Sequence, residues 1–448
     1  MARDRYRTTA DVPLVLPPSV AALLGDEAAD LLAALAQPVP TSVRYNPVKP
    51  IPLVGTPVPW CATGRYLDER PVFTLDPHLH AGCYYVQEAS SMLLEEAVLQ
   101  SGMHQRTLRA LDLCAAPGGK SGHLASLITS DSLLVCNEPV PSRRAILAEN
   151  LWKHGRAGVV VTGSQPADFA PLGPYFDLVL VDAPCSGEGM FRKDPFARAQ
   201  WNEALVNACA RTQTDILDHA WNAVAPGGLL IYSTCTWERA ENEEQAQRLI
   251  GSGGEHVVLN GLERWGVHAS DLGYRCYPHR VRGEGFYIAI VRKPGVLPIH
   301  PVSGASSTMD PVIGGWLRDP SSRAVTTSDA VLYSIPDRWA LSIEQLQAHV
   351  RIHAPGIPIA ERKGDQWRPH AALALNDQLN ADAFTHEDAD LAGALDYLRG
   401  GTAGLRSNPR TDERVRLVRY EGKPLGWVYA AGQRWNNGWP KEWRIRMR

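Results

Sequence analysis

The chain lacks most of the features that would place it quickly. Its 448 residues include eight cysteines, yet none forms a C-x-x-C pair and no His/Cys cluster has zinc-site spacing. That argues against a disulfide framework and against a structural zinc. No apolar h-region opens the sequence, and no apolar run approaches bilayer length, so neither a secretion signal nor a membrane span is expected. Free thiols fit a reducing cytoplasm. Basic charge is not in excess: 45 Lys and Arg face 48 Asp and Glu, a net of -3, so bulk charge does not indicate nucleic acid. There is no internal repeat and no low-complexity tract.

What is present is order along the chain. A length of 448 residues implies two to four domains. Residues 1–80 are rich in proline and turn formers and read as an accessory domain. Within it, Val20, Leu23, Leu24, Leu31, Leu32 and Leu35 fit a helical stripe over Pro18–Ala36. Thr41–Lys49 alternates like a strand edge with Arg44 on a basic outer face. From 81 to 293 apolar strands alternate with helical segments, which predicts a doubly wound parallel sheet. A long helix is expected over Trp201–Ala223, ended by Pro226-Gly227-Gly228. Residues 294–325 read as a linker, and 326–448 as a small α+β domain with β-like runs at Ala371–Leu375, Arg414–Tyr420 and Gly426–Ala430. Its end is basic: from Arg406 to Arg448 eleven Lys/Arg stand against four Asp/Glu, a local net of +7. Such a stretch is either a solvated face or a phosphate-binding surface.

Three strand ends carry the chemistry. The first is the turn Cys114, Ala115, Ala116, Pro117, Gly118, Gly119, Lys120, where two glycines let backbone approach a ligand. It has neither G-x-G-x-x-G nor a complete P-loop; Gly118-Gly119-Lys120-Ser121 is only the tail of the latter. The next strand ends in Glu138, where an acid can accept both hydroxyls of a ribose. A nucleoside cofactor without a phosphate clamp is expected, which favours S-adenosylmethionine over NAD or ATP. The other two strand ends bear thiols, in Asp182-Ala183-Pro184-Cys185 and Ser233-Thr234-Cys235-Thr236. A thiolate adding to carbon 6 of a pyrimidine makes carbon 5 nucleophilic, and that is covalent catalysis. Asp182 is placed to stabilise the intermediate, and Lys193 to offer a donor to base or phosphate. Cys61, Cys83, Cys136, Cys209 and Cys276 read as small buried hydrophobes. The residues alone leave open which of Cys185 and Cys235 attacks.

Taken in order, the Cys114–Lys120 turn, Asp182-Ala183-Pro184-Cys185-Ser186-Gly187-Glu188-Gly189 and Ser233–Thr236 resemble the NSUN/Sun family of RNA cytosine-carbon-5 methyltransferases. Met190–Pro195, Gly283–Phe286, Thr41–Arg44, Tyr85–Ser91 and Gly432–Pro440 are similar to its bacterial ribosomal-RNA branch, the RsmF-like proteins. The resemblance implies a Rossmann-like methyltransferase fold flanked by an N-terminal RNA-guiding domain and a C-terminal PUA-like module. It implies S-adenosylmethionine held by residues 114–120, Glu138 and Asp182. Cys235 would be the nucleophile, Cys185 would assist release of product, and Asp182 would lie beside both cofactor and base. Arg44, Lys193, Arg434, Lys441 and Arg444 would contact RNA, most simply ribosomal RNA. Trp427, Trp435, Trp439 and Trp443 would either stack on bases or fill a small core. A monomer without a metal is expected. Transfer RNA as substrate, or a non-catalytic assembly factor on the same fold, are the competing readings. One departure stands out: after the third strand, Thr162-Gly163-Ser164-Gln165 has no acid before Asp168 to meet an adenine.

Overall fold

A computed structural model describes residues 12–300, 309–320, 323–328, 330–405, 408–410 and 413–447. Part of the expected linker, residues 301–308, and Arg406 and Arg448 at the two ends of the basic stretch lie outside the described residues.

The N-terminal helical stripe forms two helices, Pro18–Leu24 and Ala28–Leu35. The chain turns between them at Gly25, whose φ of 56° suits glycine. An antiparallel sheet follows, with β1 (Thr41–Tyr45), β2 (Thr56–Val58), β3 (Cys61–Leu67) and β4 (Tyr84–Val86) in the order β2-β3-β1-β4. β1 is therefore an inner strand, not an edge.

The central sheet is built from β5 (Arg109–Asp112), β6 (Leu133–Asn137), β7 (Val159–Thr162), β8 (Phe176–Asp182) and β9 (Val224–Thr234), all parallel, in the order β9-β8-β5-β6-β7. These strands are buried on both faces, as their near-continuous apolar runs require. The expected all-parallel sheet needs correction at its edges. The chain continues through β10 (Glu255–His256), β11 (His268–Ser270), β12 (Gly273–Cys276) and β13 (Phe286–Arg292), and β13 runs antiparallel to β9. No helix of crossover length separates β12 from β13, so their pairing is antiparallel too. At the other edge a strand from the C-terminal half, Ile352–Ala354, pairs antiparallel with β7.

Three local expectations also change. The long helix starts at Glu203, because Asn202 caps it by accepting from the amide of Leu205 at 2.9 Å. Pro226-Gly227-Gly228 does not sit between helix and strand but inside β9, which begins at Val224. Ala371–Leu375 is not a strand; Ala371–Ala374 is a helical turn capped by His370, whose Nδ1 accepts from the amide of Ala372 at 3.1 Å. A short apolar run buried all round has no periodicity to separate the two.

The last unit has two four-stranded sheets, one of residues 323–369 and one of residues 385–437. Trp427, Trp435, Trp439 and Trp443 are all buried in its two apolar clusters. They fill the core rather than offering faces to bases. No helix among the described residues is long and apolar enough to cross a membrane.

Candidate active site

The strand order sets the site. β9, β8 and β5 are neighbours, and Ser233 stands opposite Asp182 in the β8–β9 ladder while Leu180 stands opposite Asp112 in the β8–β5 ladder. The two thiol-bearing turns and the Gly-rich turn therefore leave the sheet side by side at its carboxyl edge, where open α/β sheets bind ligands. A cavity of about 390 Å³ opens there. It is lined by residues 114–117, Gly119, Lys120, Asp112, Asp182, Lys193 and Cys235, and closed on its far side by Tyr85, Glu88 and Phe286.

Asp182 is held from two directions. Lys120 Nζ donates to its Oδ2 at 2.8 Å and Ser233 Oγ to its Oδ1 at 2.8 Å. Lys120 is half-buried, and the adjoining Asp182 carboxylate keeps its ammonium charged against the desolvation that burial imposes. Cys185 and Cys235 meet with their sulfurs 3.1 Å apart. Cys185 is pushed well above the ordinary thiol range by its hydrogen bond with Cys235 and by burial, so it stays protonated. Only Cys235 of the two lines the cavity. The amide of Gly189 donates to the carbonyl of Cys235 at 2.8 Å. A Cβ on Gly189 would stand 2.5 Å from the carbonyl oxygen of Gly285 and 2.7 Å from that of Cys235, so only glycine lets these three loops close.

The cofactor residues separate into two groups. Residues 114–117, Gly119 and Lys120 line the cavity, and Gly118 between them turns the chain at φ 111°, a conformation that favours glycine. Cys114 is driven upward by burial and the carboxylates around it, and remains a neutral thiol. Glu138 is buried at the end of β6 but does not line the cavity; its carboxylate accepts from the Val140 amide at 2.9 Å and faces Arg143 at 3.3 Å. After β7, Ser164 Oγ accepts from the amide of Arg351 at 2.8 Å, and Gln165 and Asp168 form a capping box. Asp168 thus closes its own helical turn instead of reaching toward an adenine. Asp112 was not among the expected site residues. Its Oδ2 accepts from Ser121 Oγ at 2.6 Å, while its buried Oδ1 has no partner and the residue lines the cavity. Burial raises its carboxyl to about 7. The signal in the sequence was an acid inside the apolar strand Leu111-Asp112-Leu113.

The expected RNA contacts fare unequally. Lys193 lines the cavity beside Met190. Arg434 and Lys441 are exposed, and Arg444 is half-buried at the mouth of a second cavity of about 510 Å³ between the N-terminal sheet and the C-terminal tail. Arg44 needs correction. As part of an inner strand it is buried, with Nε donating to Gln87 Oε1 at 2.8 Å and Nη2 to the carbonyl of Gly119 at 3.3 Å. It braces the N-terminal sheet against the Gly-rich turn and presents no basic outer face. A third cluster, Cys61, Glu95 and His123, is also buried. There His123 Nε2 and Glu95 Oε2 are 3.1 Å apart, and Arg44 supplies positive charge alongside.

Comparison with known proteins gives this arrangement a family. Residues 98–292 match the family model for 16S rRNA methyltransferase RsmB/F, residues 17–89 the N-terminal domain of 16S rRNA methyltransferase RsmF, and residues 386–445 the methyltransferase RsmF PUA domain. The chain is 32% identical over 452 residues to the ribosomal RNA small subunit methyltransferase F of Serratia proteamaculans, covering 92% of each chain. It is 31% identical to that of Escherichia coli over 454 residues, again with 92% of each covered. The chain belongs to the RsmF family. Among solved structures, a methyltransferase homologue from Pyrococcus horikoshii is 26% identical with a TM-score of 0.52, covering 62% of this chain and all of that one.

Family membership makes the chain an S-adenosylmethionine-dependent RNA methyltransferase with a Rossmann-like catalytic unit and a C-terminal PUA domain. The cavity fits the cofactor of the RsmF family on its own terms. The unpartnered Asp112 oxygen offers a carboxylate to a methionyl ammonium. The glycine turn offers open backbone.

Proposed function

We propose that the protein methylates carbon 5 of a cytosine in small-subunit ribosomal RNA through a covalent thioether to Cys235. The observation that carries the reading is the asymmetry of the thiols: Cys235 faces the cavity, and protonated Cys185 sits behind it at 3.1 Å. Cys235 attacks carbon 6 as the thiolate, its proton leaving to solvent or base. That addition breaks the 5,6 double bond and leaves a 4,5 enamine that is nucleophilic at carbon 5; the Asp182–Lys120 pair, in the same cavity as Cys235, supplies the hydrogen-bond donor for the density that moves onto nitrogen 3. S-adenosylmethionine, when bound, supplies the sulfonium methyl. Loss of the carbon-5 proton to a base then restores the 5,6 double bond and expels the Cys235 thiolate, which closes the cycle, with Cys185 assisting that release from 3.1 Å. No metal is needed at the reacting centre, and we take the working form to be a cytoplasmic monomer.

Incubation with S-adenosylmethionine and small-subunit RNA, followed by a denaturing gel, tests the roles. Cys185→Ala is expected to accumulate a protein–RNA adduct and Cys235→Ala to form none. An adduct in Cys235→Ala would exchange the two cysteines. Bisulfite sequencing of RNA from a strain without the protein should reveal one or more lost 5-methylcytosines in the small subunit; an unchanged profile would remove the ribosomal assignment.

A further inference from the structure

The mechanism asks two cysteines on different strand ends to keep a fixed separation. Behind them lies a closed polar layer that the chemistry above does not use. Glu241 and Asn242 are both fully buried. Glu241 Oε2 accepts from the backbone amide of Ser186 at 3.1 Å and from Gln213 Nε2 at 2.7 Å. The same Gln213 nitrogen donates to the carbonyl of Pro184 at 2.9 Å, and Ser186 Oγ also bonds Glu241 Oε1. Both neighbours of Cys185 are thus tied to Glu241. Asn242 treats Cys235 in the same way. Its Oδ1 accepts from Thr234 Oγ1 at 2.6 Å, and its Nδ2 donates to the carbonyl of Thr236 at 2.9 Å. The carbonyl of Glu241 in turn accepts from Tyr232 Oη at 2.5 Å, which fixes the pair to β9.

We propose that the dipeptide Glu241-Asn242 is a positioning clamp that sets the separation of the Cys185 and Cys235 sulfurs, one residue gripping each cysteine's flanks. The residues touch neither substrate nor cofactor. They act by holding backbone at the two turns, so their removal should leave cofactor binding alone while spoiling alignment. A fluctuation of an ångström between the sulfurs is enough to slow elimination. The clamp rests on the two-cysteine reading of the site, but the sulfur separation itself can be measured without turnover.

The test uses Glu241→Ala, Glu241→Gln and Asn242→Ala in the full chain, with phenylarsine oxide as a ruler. That reagent bridges two thiols only when they sit side by side. Glu241→Ala and Asn242→Ala are expected to lower kcat by roughly tenfold or more, with KM for S-adenosylmethionine within about twofold, and to weaken arsenical capture in parallel. Glu241→Gln keeps an acceptor for the Ser186 amide and should recover most of both. Because capture is read on unreacting protein, its loss with kcat supports the clamp even if the roles of the cysteines are exchanged. Wild-type kcat and capture in either alanine variant would overturn it. So would a Glu241→Gln that behaves like Glu241→Ala, or S-adenosylmethionine affinity falling as far as kcat.

Discussion

Asp112 is the residue that most sharpens the cofactor site. It is enclosed in β5, bonded through one oxygen to Ser121, and faces Lys120, Asp182 and Cys114. Burial is the chief reason its carboxyl is raised to about 7, with the nearby Asp182 carboxylate adding to it and Ser121 and Lys120 opposing it. A raised acid is neutral below that value and charged above it, and the methionyl ammonium needs the charged form. Affinity for S-adenosylmethionine should therefore rise as pH increases from 6 to 8, by up to about tenfold per unit below the transition. Asp112→Asn should bind more weakly and lose the dependence. Isothermal titration at three pH values decides it; a flat wild-type profile, with Asp112→Asn unchanged, would move the ammonium contact elsewhere. Glu138, which the sequence places at the ribose, accepts from the Val140 amide and faces the exposed Arg143. Asp112 was not legible because the apolar run Leu111-Asp112-Leu113 makes it look like a polar group inside a strand that must merely be satisfied, whereas the structure ends β5 at Asp112.

Elements were more legible than side-chain directions. The strands at 109–112, 133–137, 159–162 and 176–182 stand where apolar runs put them, because a strand buried on both faces leaves little choice of residue. The break at Gly25 and the helix at Ala371–Ala374 were not legible, since a short apolar stretch fits either state until its neighbours are known. The same limit governs the C-terminal tail. Eleven cations marked it as basic, but only the packing of the folded unit shows that the tryptophans turn inward while Arg434, Lys441 and Arg446 remain exposed. Replacing these three cations by alanine should weaken RNA binding without melting the unit. Each lost phosphate contact would also reduce the slope of log affinity against log salt by about one. Trp439→Ala should instead destabilise the unit by about 3–5 kcal/mol, because its indole is buried. Filter binding across a salt series separates the outcomes, and an unchanged slope in the triple variant would leave these cations as solvated surface.

At the scale of the whole molecule, the catalytic sheet is sewn to its flanking units by buried polar contacts rather than by apolar surface alone. Asn46 Nδ2 donates to the carbonyls of Gly82 at 2.9 Å and His154 at 2.8 Å, and the amide of Asp377 donates to the carbonyl of Gly155 at 2.8 Å. Ile352–Ala354 adds a strand to the catalytic sheet from beyond the expected linker. Arg44 is the contact nearest the chemistry. Its guanidinium joins Gln87, at the end of the N-terminal sheet, to the carbonyl of Gly119 in the cofactor turn and to Ser126 at 3.4 Å. Burial lowers it to about 10, still well above neutrality, so it acts as a cation inside the junction. Arg44→Met fills similar space but leaves Gln87 and the Gly119 carbonyl without their donor. The expected loss is about 1–3 kcal/mol of stability, the cost of orphaning buried polar groups. Cofactor affinity should fall as well, because the Gly119 turn loses its brace, whereas RNA affinity measured without cofactor should hold. Urea denaturation with parallel titrations of S-adenosylmethionine and RNA reads all three. If RNA affinity alone declined, Arg44 would be a surface contact after all, and the inner-strand placement of β1 would be wrong.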